Sequence, residues 1–566
     1  MKFHYRGPLT NEDEILDRLL HPPSMIAVDT ETVSLKDRTM LGFGIATSPN
    51  EAYYIPIWPE PSEVLRAAYG LIHNPAITKL GHNYTFDISV LRQFAVSRGW
   101  PLPDVVNIHD TGIMANVMAF EPDLHTLGLK YGDLKLFTIQ DLLEGAREQT
   151  GKKQVNMTDV DSELVALKCM NDVRTTYRLF EVLSAQLTPR TLDCYQVDRE
   201  LLGVLKTIER KGLKINHDVV QQKYLEYSDR CGLYEEWAED QGFSISSPAQ
   251  VGMFLANSGI VLPATASGRQ LATSDDILSK FAHNPLVGEV LTYRKYAKLL
   301  STYVEPYLNA DRFFTHFRLD LATGRLASGG EDCPDHVCGN GQNIPPDMRD
   351  IFAPDNGEFE WADMSQLEMR VFAHLSQDET LLDAYQNDKS IHEITFRSIY
   401  PQLEFNKNIP EYVKAKTFNF AMIFDANDNT LSAQCGITKA QAKQWKATWF
   451  DTYPGAYRWM KSIQDTNTTF EETIFGRRMR IPNDYERGRG HANKCRINYP
   501  VQGSGADLNK RAVLKLYKGG YTNDLRLQVH DEVLNDGLFD FPHELVSRIH
   551  PEIFVPWEVK QGKVWT

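Results

Sequence analysis

Two segments are the most informative about the architecture, Trp361-Ala-Asp-Met-Ser-Gln-Leu-Glu368 and Leu527-Gln-Val-His-Asp-Glu-Val533. Around the second, every other residue from 525 to 529 is apolar, the period of a half-buried strand, and the pattern breaks at His530 and Asp531. In the first, a short strand over 359–363 precedes apolar residues at every fourth position, which is the spacing of a helix face. The sequence therefore predicts Asp363 at a strand-to-helix junction and Asp531 at a hairpin tip.

Carboxylates on two separate elements are what a pair of divalent metal ions requires. Two Mg²⁺ ions about 3.5–4 Å apart can activate a hydroxyl nucleophile and stabilise a leaving phosphate group when carboxylate oxygens converge on both ions. We therefore predict that Asp363 and Asp531 hold two Mg²⁺ ions, with Mn²⁺ as the alternative metal, and that they serve phosphoryl transfer.

These segments resemble motifs A and C of the family A DNA polymerases, the class of bacterial polymerase I and many phage replicases. The resemblance extends over nearly the whole chain, to Thr323-Gly-Arg-Leu-Ala-Ser328, Gln342-Asn-Ile-Pro345, Ser390-Ile-His-Glu393, the helix around Lys416 and Phe420, and Asn498-Tyr-Pro-Val-Gln-Gly503. It implies a DNA-directed DNA polymerase that acts on primer-template DNA and dNTPs. It also implies that the Met364 carbonyl joins Asp363 and Asp531 as a metal ligand, with Glu532 in an auxiliary catalytic role.

The resemblance implies a multidomain fold of the α/β and α+β classes. We expect an RNase H-like DEDD exonuclease domain over 1–185 and a right-hand polymerase domain over 186–566. Within the second, the thumb is expected at about 200–310, the palm at about 311–375 and 495–566, and the fingers at about 376–494. The chain starts close to its first catalytic strand, so we expect no 5′-nuclease domain, which favours a phage source. The short thumb leaves no room for a thioredoxin-type clamp.

The N-terminal region carries a second set of acidic residues. Met25-Ile-Ala-Val-Asp29 has the pattern of a buried strand, and the alternation of side chains places Asp29 and Glu31 on one face. Two helical segments add Asp87 and Asp172. These four acids match the DEDD pattern of 3′-5′ exonucleases, which implies four catalytic metal ligands and two metal ions. The family has a Tyr four residues before the last Asp; here that position is Lys168, so we expect slower proofreading.

A helix beginning near Pro410 is predicted to carry Tyr412, Lys416, Phe420 and Phe424 on one stripe, because the four are spaced four residues apart. Such a stripe by itself is typical of core packing. Its resemblance to the fingers helix instead implies a nucleotide site in which Lys416 is also catalytic. The other residues implied to contact the nucleotide are His392, Gln366 and the steric gate Glu368. Tyr412 replaces an Arg of the family, Phe424 a Tyr and Asp425 a Gly.

The formal net charge of −15 is unusual for a nucleic-acid-binding protein, so DNA binding must depend on local charge. Between Thr473 and Lys515 there are ten Lys and Arg against three Asp and Glu, which favours a surface that follows phosphates. From this stretch we predict DNA contacts by Lys494, Arg477 and Arg478. The resemblance adds Arg325, Asn498, Gln502 and His530, the first three at the minor-groove edge of the primer end.

The remaining features exclude other classes. The seven cysteines are scattered, which predicts a reducing cytosol; Cys333 and Cys338 with His336 between them lack a fourth ligand and are predicted to be an ordinary surface loop. No apolar run is long enough to span a membrane, and no leader segment is visible. We expect a cytoplasmic monomer, in the host cytoplasm if phage-encoded, with no membrane partner.

Several alternatives remain open at this point. The chain could be mainly a 3′-5′ exonuclease whose C-terminal half only binds DNA, although Asp363 and Asp531 are both present. It could be a repair polymerase that fills gaps and has an inactive exonuclease domain. A single-subunit RNA polymerase or reverse transcriptase is disfavoured by Glu368 and by the DEDD residues.

Overall fold

The computed structural model describes residues 16–17, 19–57, 63–102, 106–132, 138–265, 267–329, 337–464, 466–483, 488–521 and 524–566, together with the strand Lys2–Tyr5. Cys333 and His336 lie outside these residues, as do Asp484, Glu486 and Arg487 of the basic stretch. Cys338 is disulfide-bonded, which differs from the reduced state that the sequence predicts for the cysteines.

The N-terminal domain is built on a mixed six-stranded sheet. Its strands are β1 (Lys2–Tyr5), β2 (Met25–Thr32), β3 (Met40–Ser48), β4 (Glu51–Pro56), β5 (Thr78–Gly81) and β6 (Ile108–Asp110), in the order β1-β4-β3-β2-β5-β6. Strand β2 is central: it pairs antiparallel with β3 and parallel with β5. A central position buries both faces of a strand, which suits the apolar start of β2.

The described residues of this domain also include the helices α1 (Glu63–His73), α2 (Tyr84–Arg98), α3 (Thr111–Val117), α4 (Leu124–Leu127), α5 (Ile139–Thr150) and α6 (Ser162–Ser184). Helix α6 lies against β2, β3 and β4 and buries Cys169 and Val173 on the sheet. The residues from Ile113 to Leu127 belong instead to the large core of the C-terminal region. The two regions therefore share apolar packing. Helix α6 ends at Ser184 and the next helix, α7, covers Pro189–Lys211.

The centre of the C-terminal region is an antiparallel sheet of four strands, β13 (Phe359–Met364), β16 (Leu525–Val529), β17 (Glu532–Asp536) and β18 (Trp557–Gly562), in the order β16-β17-β13-β18. Strand β16 was predicted to be half-buried, but all five of its residues are buried. The polar side of this strand is neutralised internally: Arg526 pairs with Asp355, Asp524 and Asp536. Alternating polarity indicated the strand correctly but not its burial.

Helices and short strands surround this sheet. The helices are α8 (His217–Asp240), α9 (Pro248–Asn257), α10 (Asp275–Leu278), α11 (Pro285–Leu299), α12 (Leu367–Ser376), α13 (Glu379–Gln386), α14 (Ile391–Ile399), α15 (Pro410–Ile423), α16 (Asp428–Cys435), α17 (Lys439–Thr452), α18 (Pro454–Gln464), α19 (Arg489–Lys518) and α20 (His543–Ser547). The short strands are β7 (Leu213–Ile215), β8 (Arg312–Phe314), β9 (His316–Arg318), β10 (Ala327–Gly329), β11 (Val337–Cys338), β12 (Phe352–Ala353), β14 (Phe470–Glu472) and β15 (Arg478–Arg480). Much of α8–α11 packs on a core of its own.

None of the described helices combines the length and apolar character needed to cross a bilayer. The described residues thus form mixed α/β and α+β domains, in which a sheet and helix α6 position the first acidic set and the sheet β16-β17-β13-β18 positions the second.

Candidate active sites

The second acidic set lies at one end of the sheet β16-β17-β13-β18. Asp363, the penultimate residue of β13, pairs in register with Glu532 on β17 and Glu558 on β18. Asp531 occupies the turn between β16 and β17, where His530 has a positive φ of 53°. The Met364 amide donates to the Asp531 carbonyl at 3.2 Å and so holds the turn against β13. The structure therefore brings together the carboxylates of Asp363 and Asp531, as predicted.

The carboxyls of Asp363 and Asp531 both have raised pKa values, with burial as the main cause. Burial raises the pKa of Asp363 to about 7, with further contributions from the charges of Asp531, Glu532 and Glu558. Burial also raises the pKa of Asp531. Among the described residues, neither Asp363 nor Asp531 takes part in an ion pair. Burial and the three neighbouring carboxylates disfavour the charged form of Asp363, so a cation beside it is favoured.

Unlike Asp363 and Asp531, Glu532 has side-chain partners of its own among the described residues. Its Oε1 accepts a hydrogen bond from the Trp565 indole at 2.9 Å and lies 3.5 Å from Arg349. The Arg349 guanidinium in turn stacks over the Trp565 ring at 4.1 Å. Glu532 is therefore fixed by neighbours near the C-terminus, which suits an auxiliary position.

A cavity of about 310 Å³ opens beside Asp531. Its lining includes Arg325, Glu368, Gln502, His530 and Asp531, five of the predicted site residues. Arg325 forms an ion pair with Glu368 across this cavity. The predicted DNA-contacting and sugar-selecting residues thus share one space with a predicted metal ligand.

Two further predicted residues lie near this space. Gln366 adopts a left-handed conformation, φ 53°, just before α12, and its side-chain oxygen accepts from the Tyr385 hydroxyl at 3.3 Å. The side-chain oxygen of Asn498 is buried and has no hydrogen-bond partner among the described residues. A buried acceptor without a partner costs free energy, which is regained when a ligand donates to it.

The fingers helix α15 begins at Pro410, as the sequence predicts. His392, on α14, is buried, and its ring lies 5.2 Å from that of Phe420. Burial, followed by the nearby charge of Lys416, lowers the pKa of His392 to about 4, and Asn419 donates to its Nδ1 at 3.2 Å. Three predicted nucleotide contacts, His392, Lys416 and Phe420, therefore lie together, and the imidazole is neutral.

The other two members of the predicted stripe differ from expectation. Phe424 is the residue after the last helical turn, with φ −102°, because α15 ends at Ile423. Tyr412 lies in an aromatic cluster with Phe396 and Phe405, at ring distances of 6.4 and 5.6 Å. The Tyr that replaces the family's Arg is therefore partly a packing residue.

One of the DNA contacts predicted between 473 and 515, Arg477, is contradicted by its burial. Arg477 is 1% exposed and its guanidinium pairs with Asp198 and Asp507, each at 2.8 Å. Lys510 is equally buried and pairs with Asp198. Counting charges along the sequence missed these pairs, because Asp198 lies about 280 residues away on α7. Arg477 therefore joins α7, the hairpin β14–β15 and α19 rather than contacting DNA.

The two remaining predictions from this stretch have different environments. Arg478 pairs with Glu472 at 3.1 Å and stacks over the ring of Phe470 at 4.8 Å. Lys494 is exposed on α19. Of the three basic contacts predicted from this stretch, Lys494 is thus the most exposed.

The first acidic set is also assembled. Asp29 and Glu31 lie on β2, Asp87 on α2 and Asp172 on α6, and a cavity of about 470 Å³ adjoins the first three. Burial raises the pKa of Asp29 well above its ordinary value, with further contributions from Asp87, Glu31 and Asp172. Burial raises the pKa of Asp87 to about 7, although its Oδ1 accepts two hydrogen bonds from Thr30. The four carboxylates therefore interact as one charged group.

Lys168 lies inside this group. Its ammonium is 2.8 Å from Glu31 Oε1 and 2.8 Å from Asp172 Oδ2, and its side chain is 9% exposed. Burial opposes its charge, but Glu31, Asp172 and Asp29 together raise the pKa of Lys168 well above its usual value. Lys168 at this position was expected to slow proofreading; its bond to Glu31 was not predicted.

Three residues near the sites were missed from the sequence. Cys169 lies with its sulfur 3.8 Å from Asp29 Oδ2, and its position next to Lys168 on α6 was the signal that could have pointed to it. Glu558 was missed because the pairing of β18 with β13 has no local signature. Trp565 is near the chain end, where no motif marks it.

The fold and the two acidic sets define a class: a two-domain protein with one nuclease-like and one transferase-like carboxylate centre, each suited to metal-assisted phosphoryl chemistry. Residues 217–553 match the family described as DNA polymerase family A, and residues 9–188 match the family described as 3′-5′ exonuclease. The first match covers more than half of the chain. The chain belongs to DNA polymerase family A.

Relatives and solved structures agree with this membership. DNA polymerase I of Pseudomonas aeruginosa is 29% identical over 580 residues, which cover 94% of this chain and 61% of that protein. DNA polymerase I of Streptococcus pneumoniae is 32% identical over 419 residues, 68% of this chain and 46% of that protein. The chain thus spans about three fifths of the length of the first relative. The POL domain of Pol1 from M. smegmatis, solved with DNA primer-template and dNTP, has the same fold, with a TM-score of 0.74, 22% identity and 95% coverage of both chains.

Proposed function

We propose that this chain is a DNA-templated DNA polymerase that adds dNTPs to a primer 3′ end and carries a 3′-5′ exonuclease of reduced rate. The observation that carries the polymerase proposal is the convergence of Asp363 and Asp531 beside a cavity lined by Arg325, Glu368 and Gln502. An exonuclease whose C-terminal half only binds DNA would have no use for such a centre.

The residues of the polymerase centre fit two Mg²⁺ ions. The donor set is oxygen alone, from Asp363, Asp531 and the Met364 carbonyl, as hard divalent cations require. Burial raises the pKa of both carboxyls, and neither forms an ion pair among the described residues, so divalent cations would supply counter-charge there. When bound, such ions lower the pKa of the primer hydroxyl and stabilise the leaving pyrophosphate. Mn²⁺ would fit the same oxygen set.

The fingers residues would bind and orient the nucleotide. Lys416 offers a point charge to the triphosphate, and neutral His392 next to it offers an imidazole N–H. The Phe420 ring, which packs against His392, would lie under the sugar or base. Glu368, held by Arg325, would exclude a ribose 2′-hydroxyl by its position in the same cavity.

In the exonuclease centre, Lys168 would compete with metal. Asp29, Glu31, Asp87 and Asp172 provide the oxygen donors, but Glu31 and Asp172 already share the Lys168 ammonium. A metal that uses these two carboxylates must displace it. We infer slower excision, with the charge of Lys168 and the burial of the acids as its cause.

The test is single-turnover dNTP incorporation on a matched primer-template by the full chain, Asp363→Asn and the control Asp540→Asn. Asp540 is an exposed carboxylate that follows the same sheet. We expect loss of incorporation in Asp363→Asn with primer binding retained, and wild-type rates in the control. Equal rates in all three proteins would refute the polymerase proposal.

A further inference from the structure

A group of three metal-ligating side chains lies outside both acidic centres, at the far end of helix α12. His374 is in the last turn of α12, and His550 and Glu552 lie in the segment between α20 and β18. One ligand atom from each lies within 4.8 Å of the other two. His374 Nδ1 is 3.7 Å from Glu552 Oε2, and the two imidazole rings are 5.2 Å apart.

We propose that His374, His550 and Glu552 form a zinc site, with water as the fourth ligand. Zinc bonds to imidazole nitrogen and carboxylate oxygen are about 2.0–2.2 Å long, so ligand atoms of a tetrahedral site lie roughly 3.3–3.5 Å apart. The His374 to Glu552 distance is already close to that value. Two nitrogen donors favour Zn²⁺ over Mg²⁺, which prefers oxygen ligands alone.

The backbone around the site is already fixed. The Arg370 guanidinium donates to the Phe554 carbonyl at 3.0 Å, and the Ser365 amide donates to the Pro556 carbonyl at 2.9 Å. Ile553 and Val555 are buried at 3% and 1% exposure. Zinc binding would therefore have to order little more than the Glu552 side chain, which is 71% exposed.

One existing hydrogen bond would be lost. The Glu552 amide donates to His550 Nδ1 at 3.3 Å, so this imidazole carries its proton on Nε2. Ligation through Nε2 moves that proton to Nδ1 and breaks the bond to the amide. The bond is long for an N–H donor, so its loss opposes zinc binding only weakly.

The site would tie two elements of the polymerase centre together. Helix α12 carries Glu368 in its first turn, and the segment after His550 leads into β18, which pairs with β13 beside Asp363. None of the three ligands lines the cavity beside Asp531. We therefore infer a stabilising site: bound zinc should raise the thermal midpoint of the chain without entering the chemistry.

The experiment is zinc analysis after equilibrium dialysis of the full chain in excess Mg²⁺, which competes for the carboxylate centres. Wild type is compared with His374→Ala, His550→Ala and Glu552→Gln, and with His543→Ala, on the neighbouring helix α20, as the matched control. We expect one zinc fewer per chain in both ligand His variants and an unchanged count in His543→Ala. Zinc should raise the thermal midpoint of wild type and of the control, but not of His374→Ala.

If a His variant fails to fold, Glu552→Gln still tests the site. The Glu552 side chain is exposed, so its replacement removes no packing. It should match wild type in chelator and bind zinc at least tenfold more weakly. Anomalous scattering from zinc-soaked crystals gives the position directly, with a peak between His374 and His550. Equal zinc counts in all variants, or a peak only at Asp29 or Asp363, would overturn the proposal.

Discussion

The two carboxylate centres use similar ligands in opposite electrostatic states. In the exonuclease centre, the Lys168 ammonium bridges Glu31 and Asp172 at 2.8 Å each. In the polymerase centre, no described residue forms an ion pair with Asp363 or Asp531, and the pKa of Asp363 rises to about 7. One centre thus carries part of its counter-charge within the protein, whereas Asp363 and Asp531 of the other have no ion-paired partner among the described residues.

The difference between the two centres indicates that one residue, Lys168, can change the balance between the two activities. A buried ammonium between two carboxylates satisfies their charge without metal, and breaking such a pair is costly because it leaves buried charge uncompensated. We therefore expect the exonuclease acids to be stable without metal but to bind metal weakly. We expect the polymerase acids to bind metal more readily, because an incoming ion would offset the repulsion between Asp363 and its three neighbouring carboxylates.

The largest expected effects come from removing one ligand in each centre. Asp531→Asn should lower dNTP incorporation by about a thousandfold or more, and Asp29→Asn should lower excision similarly, because each removes a charged group that stabilises the transition state. Each variant should retain the other activity, measured by single-turnover extension and by excision of a mismatched primer. Loss of both activities in either variant would mean that the centres are not independent.

The next largest effect is expected on the excision rate when the Lys168 ammonium is removed. Lys168→Met keeps the aliphatic stem but removes the charge, and it should raise the excision rate by roughly ten- to a hundredfold, since a charge-assisted hydrogen bond contributes about 1.5–3 kcal/mol. The matched control is Lys152→Met, which breaks an ion pair with Asp159 on the surface of the same domain. Excision slower than wild type in Lys168→Met would make Lys168 a participant in the reaction.

Lys168→Met should also change the thermal stability of the chain. This change helps to distinguish a Lys168 that competes with metal from a Lys168 that takes part in the reaction. Without metal, Lys168→Met leaves Glu31 and Asp172 unpaired, so its thermal midpoint in chelator should fall below that of wild type. Added Mg²⁺ should restore it. The Lys152→Met midpoint should stay close to wild type under both conditions, because surface pairs contribute little.

The sequence predicted the features of these centres that arise from local patterns. It did not predict the contacts between segments that are far apart in the chain. The acidic residues proposed as metal ligands lie on the predicted elements because strand alternation and the helix period are local, and family resemblance added the order of the motifs. Arg477 was assigned to DNA because a charge count along the chain does not include Asp198 on α7. The Lys168 bond to Glu31, the register of Glu558 opposite Asp363 and the packing of Tyr412 on Phe405 all join distant segments, and only the fold specifies them.

The next prediction concerns the pH dependence of folding stability that Asp363 of the polymerase centre should cause. The pKa of Asp363 is raised to about 7 in the folded chain, against about 3.9 when unfolded, so the folded state holds the proton more tightly between these values. In chelator, the stability contributed by protonated Asp363 is complete below about pH 4 and is lost as the pH rises through about 7.

Asp363→Asn should remove this loss. We expect the variant to gain about 2 kcal/mol over wild type on going from pH 4 to pH 8, less than the full shift implies, because the site is partly open to solvent. Urea unfolding in chelator at both pH values measures it. Parallel pH profiles for the two proteins would contradict the assigned pKa of Asp363.

The smallest expected effect concerns the position at which the family has an Arg. Tyr412 is a neutral phenol, so the triphosphate would meet Lys416 and His392 but no guanidinium. Tyr412→Arg should add a cation and lower the KM for dNTP by about threefold, a modest change because the new side chain loses ring packing against Phe396 and Phe405. Tyr412→Phe keeps the packing without a charge and is the control, with an unchanged KM.

Steady-state extension at varied dNTP concentration measures the KM of both variants. An Arg variant with the KM of the Phe variant would show that this helix position does not reach the triphosphate, and that the polymerase centre obtains its positive charge from the metals, Lys416 and elements outside α15.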